Sequence, residues 1–150
     1  MVRFENGRGS AMAQEAIFLP VIALAALTFT VLSLVPLRRF RAAFARQVTV
    51  DDFALGESPR VPAHVALANR NYMNLLELPV LFYVVCGALF VTGQVDGLAL
   101  GIAWAFVATR AAHSLVHLTY NKVFHRLTLF AISNVVLAVL WIVFAVRVWP

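Results

Sequence analysis

Four apolar runs, each about as long as a bilayer crossing, fix what this chain can fold into. They cover about residues 16–37, 71–91, 98–118 and 127–148. A hydrocarbon core about 30 Å thick needs roughly 20 residues of helix. The first run is nearly continuous and uncharged. The second is the apolar part of a longer helix starting near Pro62, a residue suited to a helix's first turn. The third is interrupted by Arg110, His113 and His117, and the fourth carries Arg147 at its far end. Composition agrees: 62% of the 150 residues are hydrophobic and only 13% charged, with a mean hydropathy of +0.85. Soluble domains are nearer half apolar and a quarter charged, and a short chain leaves too much surface exposed to hide this excess. Much of the surface therefore faces lipid. A soluble enzyme, a secreted disulfide scaffold and a disordered protein are excluded. The expected fold is all-α: an integral membrane protein of four transmembrane helices in an up-down antiparallel bundle, since most connections are short.

Charge sets the expected orientation. Arg38, Arg39, Arg41, Arg46 and Arg60 follow the first run, and Lys122 and Arg126 separate the third from the fourth. The turn at 92–97 has Asp96 and no basic residue. By the positive-inside rule the first and third loops are cytoplasmic and both termini lie on the opposite face. Residues 1–14, with Gly9-Ser10 just before Met12, have the character of a disordered leader or tag, which leaves 15–150 as one domain. The net charge of +5 does not indicate nucleic acid, because apolar runs split the basic residues and no aromatic-interleaved patch forms. Cys86, the only cysteine, sits in an apolar run and reads as core filling. Gly97, Gly101, Ala105 and Thr109 recur every fourth residue, a small-residue ridge along which another helix can approach. Trp149 reads as an interface anchor, Trp104 and Trp141 as packing or lipid-facing residues, and Ser133 and Asn134 as interhelical hydrogen-bond partners. Abundant Ala, Val, Leu and Arg with a single Lys points to a bacterial inner membrane.

The informative residues are the ionisable ones inside the spans, since each costs at least about 2.5 kcal/mol at the bilayer centre. Arg70, Asn74 and Glu77 stand at i, i+4 and i+7 of the second helix, and Arg110, His113 and His117 at i, i+3 and i+7 of the third. Each set therefore lies on one stripe. At about 1.5 Å per residue, both stripes and Arg126 fall at overlapping heights in the cytoplasmic leaflet. Facing one another, they make one polar cavity. Glu77 alone cannot neutralise Arg70, Arg110 and Arg126, so the cavity calls for an anionic ligand, which arginine's planar fork suits. A purely structural network around Glu77 is the competing reading.

These residues resemble the MAPEG superfamily, the membrane-associated proteins in eicosanoid and glutathione metabolism. The resemblance rests on Arg70-x-x-x-Asn74-x-x-Glu77 with Pro79 close behind, on Arg110-x-x-His113 late in the third helix, and on Arg126 at the start of the fourth. It extends over essentially the whole chain after the leader. It implies a homotrimer of four-helix subunits binding glutathione as cosubstrate between neighbours near the cytoplasmic face. Carried over by position, Arg38, Arg70, Asn74, Glu77, Arg110 and His113 are glutathione-binding and Arg126 stabilises the thiolate. His117 stands where glutathione-active relatives usually carry Tyr, with Tyr120 one turn nearer the cytoplasm; both join the candidate set. Met73 stands where synthase-like members carry an additional Arg. The implied activity is a glutathione-dependent membrane transferase or peroxidase acting on lipophilic electrophiles or lipid hydroperoxides.

Two rival readings remain. A non-catalytic lipid- or anion-binding trimer would use the same cavity. His113 and His117 with His125 nearby raise a metal or haem site, but no Cys or second carboxylate completes a zinc set, so no metal is expected. A transporter would show internal repeats or paired broken helices, and none is evident.

Overall fold

A computed structural model describes residues 14–149; the expected leader otherwise lies outside them. Gln14, assigned to the leader, is tied to the fold: its side chain donates to the Val95 carbonyl at 2.9 Å and accepts from the Val95 N–H at 3.0 Å. All regular structure among the described residues is helical. The helices are α1 (Phe18–Phe44), α2 (Ala63–Leu76), α3 (Pro79–Val91), α4 (Gly97–Leu118) and α5 (Val123–Val148), with a short 3₁₀ turn at Val50–Phe53. Four stretches are long and apolar enough to cross a membrane, with α2 and α3 together making the second.

The first span runs seven residues past its expected end, through Arg38, Arg39 and Arg41. Arg and Ala are good helix formers, and the long basic side chains reach water beyond the apolar zone. The helix ends only where Arg46 turns left-handed (φ 56°). There the Gln47 N–H bonds the Ala42 carbonyl and the Arg46 N–H that of Ala43, both at 2.9 Å: a Schellman ending. Gly93 (φ 68°) closes α3 the same way.

The second span corrects the expectation of a continuous helix. It is broken at Glu77-Leu78. Pro79 has no N–H for the Leu75 carbonyl, and its ring crowds that carbonyl. Glu77 leaves helical backbone at ψ −97°. The chain restarts through N–H bonds from Val80 to Glu77 (3.2 Å) and Leu81 to Leu78 (2.9 Å), with Pro79 in the first turn of α3. Pro62 is the N-cap of α2 rather than a first-turn residue. α5 begins at Val123, four residues before the expected apolar run, and Arg126 falls inside its first turn, at the start of the helix as expected.

The apolar core gathers Leu24 and Val31 of α1, Leu75, Phe82, Val85, Cys86 and Leu89 of α2 and α3, Phe106 of α4, and Leu137 and Leu140 of α5. Phe82 and Phe106 stack with ring centroids 4.8 Å apart. α4 is the most enclosed span, 44% of its apolar window being buried against 17% for α5. Outward surfaces are strongly apolar, as lipid contact requires: Phe29, Phe44, Leu98 and Val146 are all largely exposed.

Polar clamps fasten both ends. At one end Arg147, near the finish of α5, donates to the Gln94 carbonyl (2.8 Å) and to Asp96 (2.6 Å). Asp96 in turn accepts from the Ala99 N–H (2.8 Å) as N-cap of α4. The Ala99 N–H and then Arg147 hold its carboxyl below the usual range. At the other end Arg38 donates to the His64 carbonyl (2.7 Å), and a small second core joins Ala42, Val48, Val61 and Val65. Buried Asp52 organises the loop: it accepts from the Ser58 hydroxyl (2.6 Å), the Thr49 N–H (2.8 Å) and the Thr49 hydroxyl (3.0 Å), and pairs with Arg60 (2.9 Å). These bonds hold its carboxyl at about 2.

Candidate functional site

The three stripes do meet at one height. Arg70 and Asn74 of α2, His113 and His117 of α4, and Arg126 of α5 line one cavity of about 370 Å³, with Val123, Leu127 and Phe130 supplying its apolar wall. That volume lies within the range of small-molecule sites. No carboxylate is among the lining residues.

Arg110 lies behind the cavity and is fully buried. Its Nη2 donates to the Asn74 backbone carbonyl and to Asn74 Oδ1, both at 2.7 Å. The last four carbonyls of a helix have no later N–H to accept from, and the break at Glu77 makes the Asn74 carbonyl one of them. Arg110 therefore caps the broken end of α2 while fixing the Asn74 side chain at the cavity wall. Its ring-side contact is Phe130, 5.9 Å from the guanidinium carbon. Its Nε and Nη1 are buried with no protein partner.

Arg126 is held by one nitrogen. Nη1 donates to Asn121 Oδ1 at 2.9 Å and faces His117 Nε2 at 3.3 Å. Asn121 can do this because the turn after α4 places it in left-handed backbone (φ 47°), a conformation Asn adopts more readily than most residues. The remaining Nε and Nη2 edge of the guanidinium makes no hydrogen bond among the described residues. The surrounding buried atoms that lack partners are largely donors or imidazole nitrogens: Arg110 Nε and Nη1, Asn71 Nδ2, His113 Nδ1 and His117 Nδ1. Asn71 otherwise accepts from Ser114 (3.3 Å), joining α2 to α4 below the cavity. A half-open, acid-free site with excess donors is chemically matched to an anion.

Not every candidate arrives there. Glu77 is exposed beside the helix break and makes no ion pair among the described residues. Arg38 is occupied with the His64 carbonyl. Tyr120 lies past the end of α4, 56% exposed, with its hydroxyl 3.1 Å from His125 Nδ1. Among the described residues no three His, Cys, Asp or Glu side chains group around a metal position. Ser133 bonds the Phe130 carbonyl of its own helix (2.8 Å), and Asn134 Oδ1 has no partner, so neither links two helices as expected. The small-residue ridge faces outward, with open space around Gly97 and Gly101 rather than a neighbouring helix of this chain. Sequence reasoning missed Asn71, Ser114 and Asn121. Only Asn121, an Asn between a helix end and the next helix, carried a turn signal.

Fold and site together define an integral membrane protein of four apolar spans with an acid-free cationic cavity between its helices. The chain belongs to the MAPEG family, whose family model matches residues 17–146. That family includes glutathione-dependent transferases and peroxidases. No curated protein and no solved structure matches the chain.

Proposed function

We propose that this protein is a glutathione-dependent membrane transferase or peroxidase whose substrates are lipophilic electrophiles or lipid hydroperoxides arriving from the bilayer. The observation that carries the reading is the cavity wall: Arg70 and Arg126 with no carboxylate to neutralise them, and a guanidinium on Arg126 with only one of its nitrogens committed to protein. Glutathione offers two carboxylates and a thiol. Arg70 accounts for a carboxylate. The uncommitted edge of Arg126 accounts for the sulfur, where a cation favours the nucleophilic thiolate over a thiol of pKa near 8.5. The thiolate then forms an S–C bond with the electrophile as its leaving group departs. With a hydroperoxide it takes the terminal oxygen as the O–O bond breaks, and the alkoxide leaves as the alcohol after taking a proton from water. A second glutathione converts the resulting sulfenic acid to the disulfide with loss of water.

The working unit in this proposal is a homotrimer of up-down bundles. Glu77 and Met73 support it, since both are exposed on a stretch apolar enough to span the membrane. A carboxylate facing lipid is costly, whereas a second copy would cover it and bring Glu77, and a neighbour's Arg38, towards the ligand. The outward small-residue ridge of α4 is a surface for the same contact. Concentration of Arg38, Arg39, Arg41, Arg46, Arg60 and Lys122 at one end supports a cytoplasmic position for those loops, in a bacterial inner membrane, with both termini opposite.

His117, in place of the family's usual Tyr, favours one alternative: a trimer that binds an anion without activating it. The test is glutathione titrated into detergent-purified protein, reading thermal stability and thiolate ultraviolet absorbance beside Arg126→Ala. The proposed enzyme gives saturable stabilisation, about 2.7 kcal/mol at a hundredfold excess over Kd, with a thiolate signal that Arg126→Ala abolishes. Stabilisation without thiolate supports the binding protein. No response from a folded oligomer refutes both.

A further inference from the structure

The arginines between the first two spans divide into two groups. Three are committed within the chain: Arg38 to the His64 carbonyl, Arg39 to Glu57 and Arg60 to Asp52. Arg41 and Arg46 are exposed and make no side-chain hydrogen bond or ion pair among the described residues. Of the acids in the loop after α1, Asp52 and Glu57 are already paired and only Asp51 is left, so the two arginines keep an excess of positive charge. The Schellman ending holds Arg46 against the last turn of α1, with its N–H on the Ala43 carbonyl at 2.9 Å. Both guanidiniums therefore spring from one end of one helix.

Beside them lies an apolar surface that also lacks a partner. On α1, Leu19, Phe29, Leu37, Phe40 and Phe44 form one exposed stripe, opposite the buried Leu24, Val31, Val35 and Ala42. At 1.5 Å per residue the stripe is about 38 Å long, against a hydrocarbon core of about 30 Å. A tilt of about 20° still leaves it about 6 Å too long. The overhang falls at the arginine end, where drawing Arg38, Arg39 and Arg41 into hydrocarbon is costly. Phe40 and Phe44 thus stand at headgroup level. The loop adds Val50, 89% exposed, and Leu55, fully exposed. Asp52 lies between these two and fastens Thr49, Ser58 and Arg60, so a folded loop holds them outward.

We propose that the end of α1 and the loop after it form a docking site for an anionic phospholipid. Arg41 and Arg46 take the headgroup phosphodiester, while Phe40, Phe44, Val50 and Leu55 sit among the upper acyl chains. A guanidinium pairs with phosphate through two parallel N–H bonds. The uncompensated charge favours a lipid of net negative charge over a zwitterion, whose ammonium would meet the same arginines. The site is independent of the glutathione reading, because none of these six residues lines the cavity.

The test titrates the whole chain in detergent with phosphatidylglycerol or phosphatidylcholine of identical acyl chains, counting bound lipid by native mass spectrometry. Phosphatidylglycerol should bind more tightly. Arg41→Gln and Arg46→Gln should each weaken it about fivefold, and both together about twenty-five-fold. Lys122→Gln removes the same charge from a different loop and should leave the affinity nearly unchanged. Equal binding of the two lipids, or an equal loss in Lys122→Gln, would overturn the proposal. SDS midpoints of the arginine variants in lipid-free micelles should match that of the unsubstituted protein; a lowered midpoint would put these side chains to work inside the fold instead. A second measurement reads position, with a nitroxide on Leu55→Cys in a Cys86→Ala background, in phosphatidylglycerol nanodiscs. Relaxation by oxygen exceeding that by an aqueous nickel chelate is the expected result. The reverse would place the loop in water, and spin–spin broadening with neither agent reaching the label would make the patch a contact between copies. Either overturns the proposal.

Discussion

Asn74→Ala should destabilise this protein at least as much as Arg110→Met, although the arginine makes two hydrogen bonds and the asparagine side chain one. Arg110 is fully buried, and both of its bonds, at 2.7 Å, come from a single nitrogen. Removing the Asn74 side chain deletes one charge-assisted bond, about 1.5–3 kcal/mol, and leaves a buried cation with only the Asn74 carbonyl. Arg110→Met deletes both bonds and leaves the Asn74 carbonyl without its donor, about 1–3 kcal/mol. It also removes a charge whose burial costs several kcal/mol, two of whose nitrogens already lack partners. Methionine fills the vacated space, and the half-buried Asn74 Oδ1 can turn to the cavity. The two substitutions should therefore be coupled by about 1.5–3 kcal/mol, since in the double variant each removes what the other had left unpaired. In a chain this size that coupling amounts to about 3–12 °C in Tm. The assay is a double-mutant cycle on protein in mixed micelles, unfolded by titrated SDS and followed by helical circular dichroism. Coupling below about 0.5 kcal/mol would show that the bond to Asn74 contributes nothing. Arg110→Met more costly than Asn74→Ala by over about 3 kcal/mol would refute the argument that guanidinium burial offsets its bonds.

The loop between α1 and α2 should open in acid. Asp52 is held at about 2 against an ordinary 3.8, so the stability it lends is fully present above pH 3.8 and fades as pH falls towards 2. Pepsin cleavage around 49–60 should rise steeply over that window. In Asp52→Asn it should be high throughout, and cleavage independent of pH in the unsubstituted protein would refute the assignment. Gly93→Ala places a side chain at φ 68° and should cost about 1–2 kcal/mol despite open space around it, read as a lower SDS midpoint. Asp96→Ala removes the N-cap of α4 and the anchor of Arg147. It should cost about 0.5–2 kcal/mol without altering glutathione affinity, because that clamp lies at the end of the bundle away from the cavity.

What the sequence made legible follows from what the membrane makes rare. Ionisable residues in apolar runs are few enough that their spacing gives both face and height, so Arg70, Asn74, His113, His117 and Arg126 could be brought to one cavity before any coordinates. Helical spacing fails where the helix does. Glu77 is the residue at which α2 breaks, and it stays on the exposed surface instead of joining the cavity lining. Tyr120 lies two residues past the end of α4, where a period of 3.6 no longer predicts direction. The left-handed Asn121 that anchors Arg126 is set by turn geometry, which a pattern of apolar and polar residues does not encode.

Pro79 and Arg110 stand 31 positions apart, yet each accounts for the other. A proline inside a span frees carbonyls, and in the membrane an unsatisfied carbonyl must find a donor within the protein. A lone buried arginine is equally untenable without acceptors. The break supplies the Asn74 carbonyl, and Arg110 supplies the donor at 2.7 Å. The same guanidinium then reaches Asn74 Oδ1, so the contact that repairs the helix also orients a cavity-lining side chain. The broken helix is thus part of the site's construction. Restoring its continuity with Pro79→Ala should strengthen α2 locally while loosening Asn74, and the readout that separates these effects is glutathione affinity falling as the SDS midpoint holds or rises.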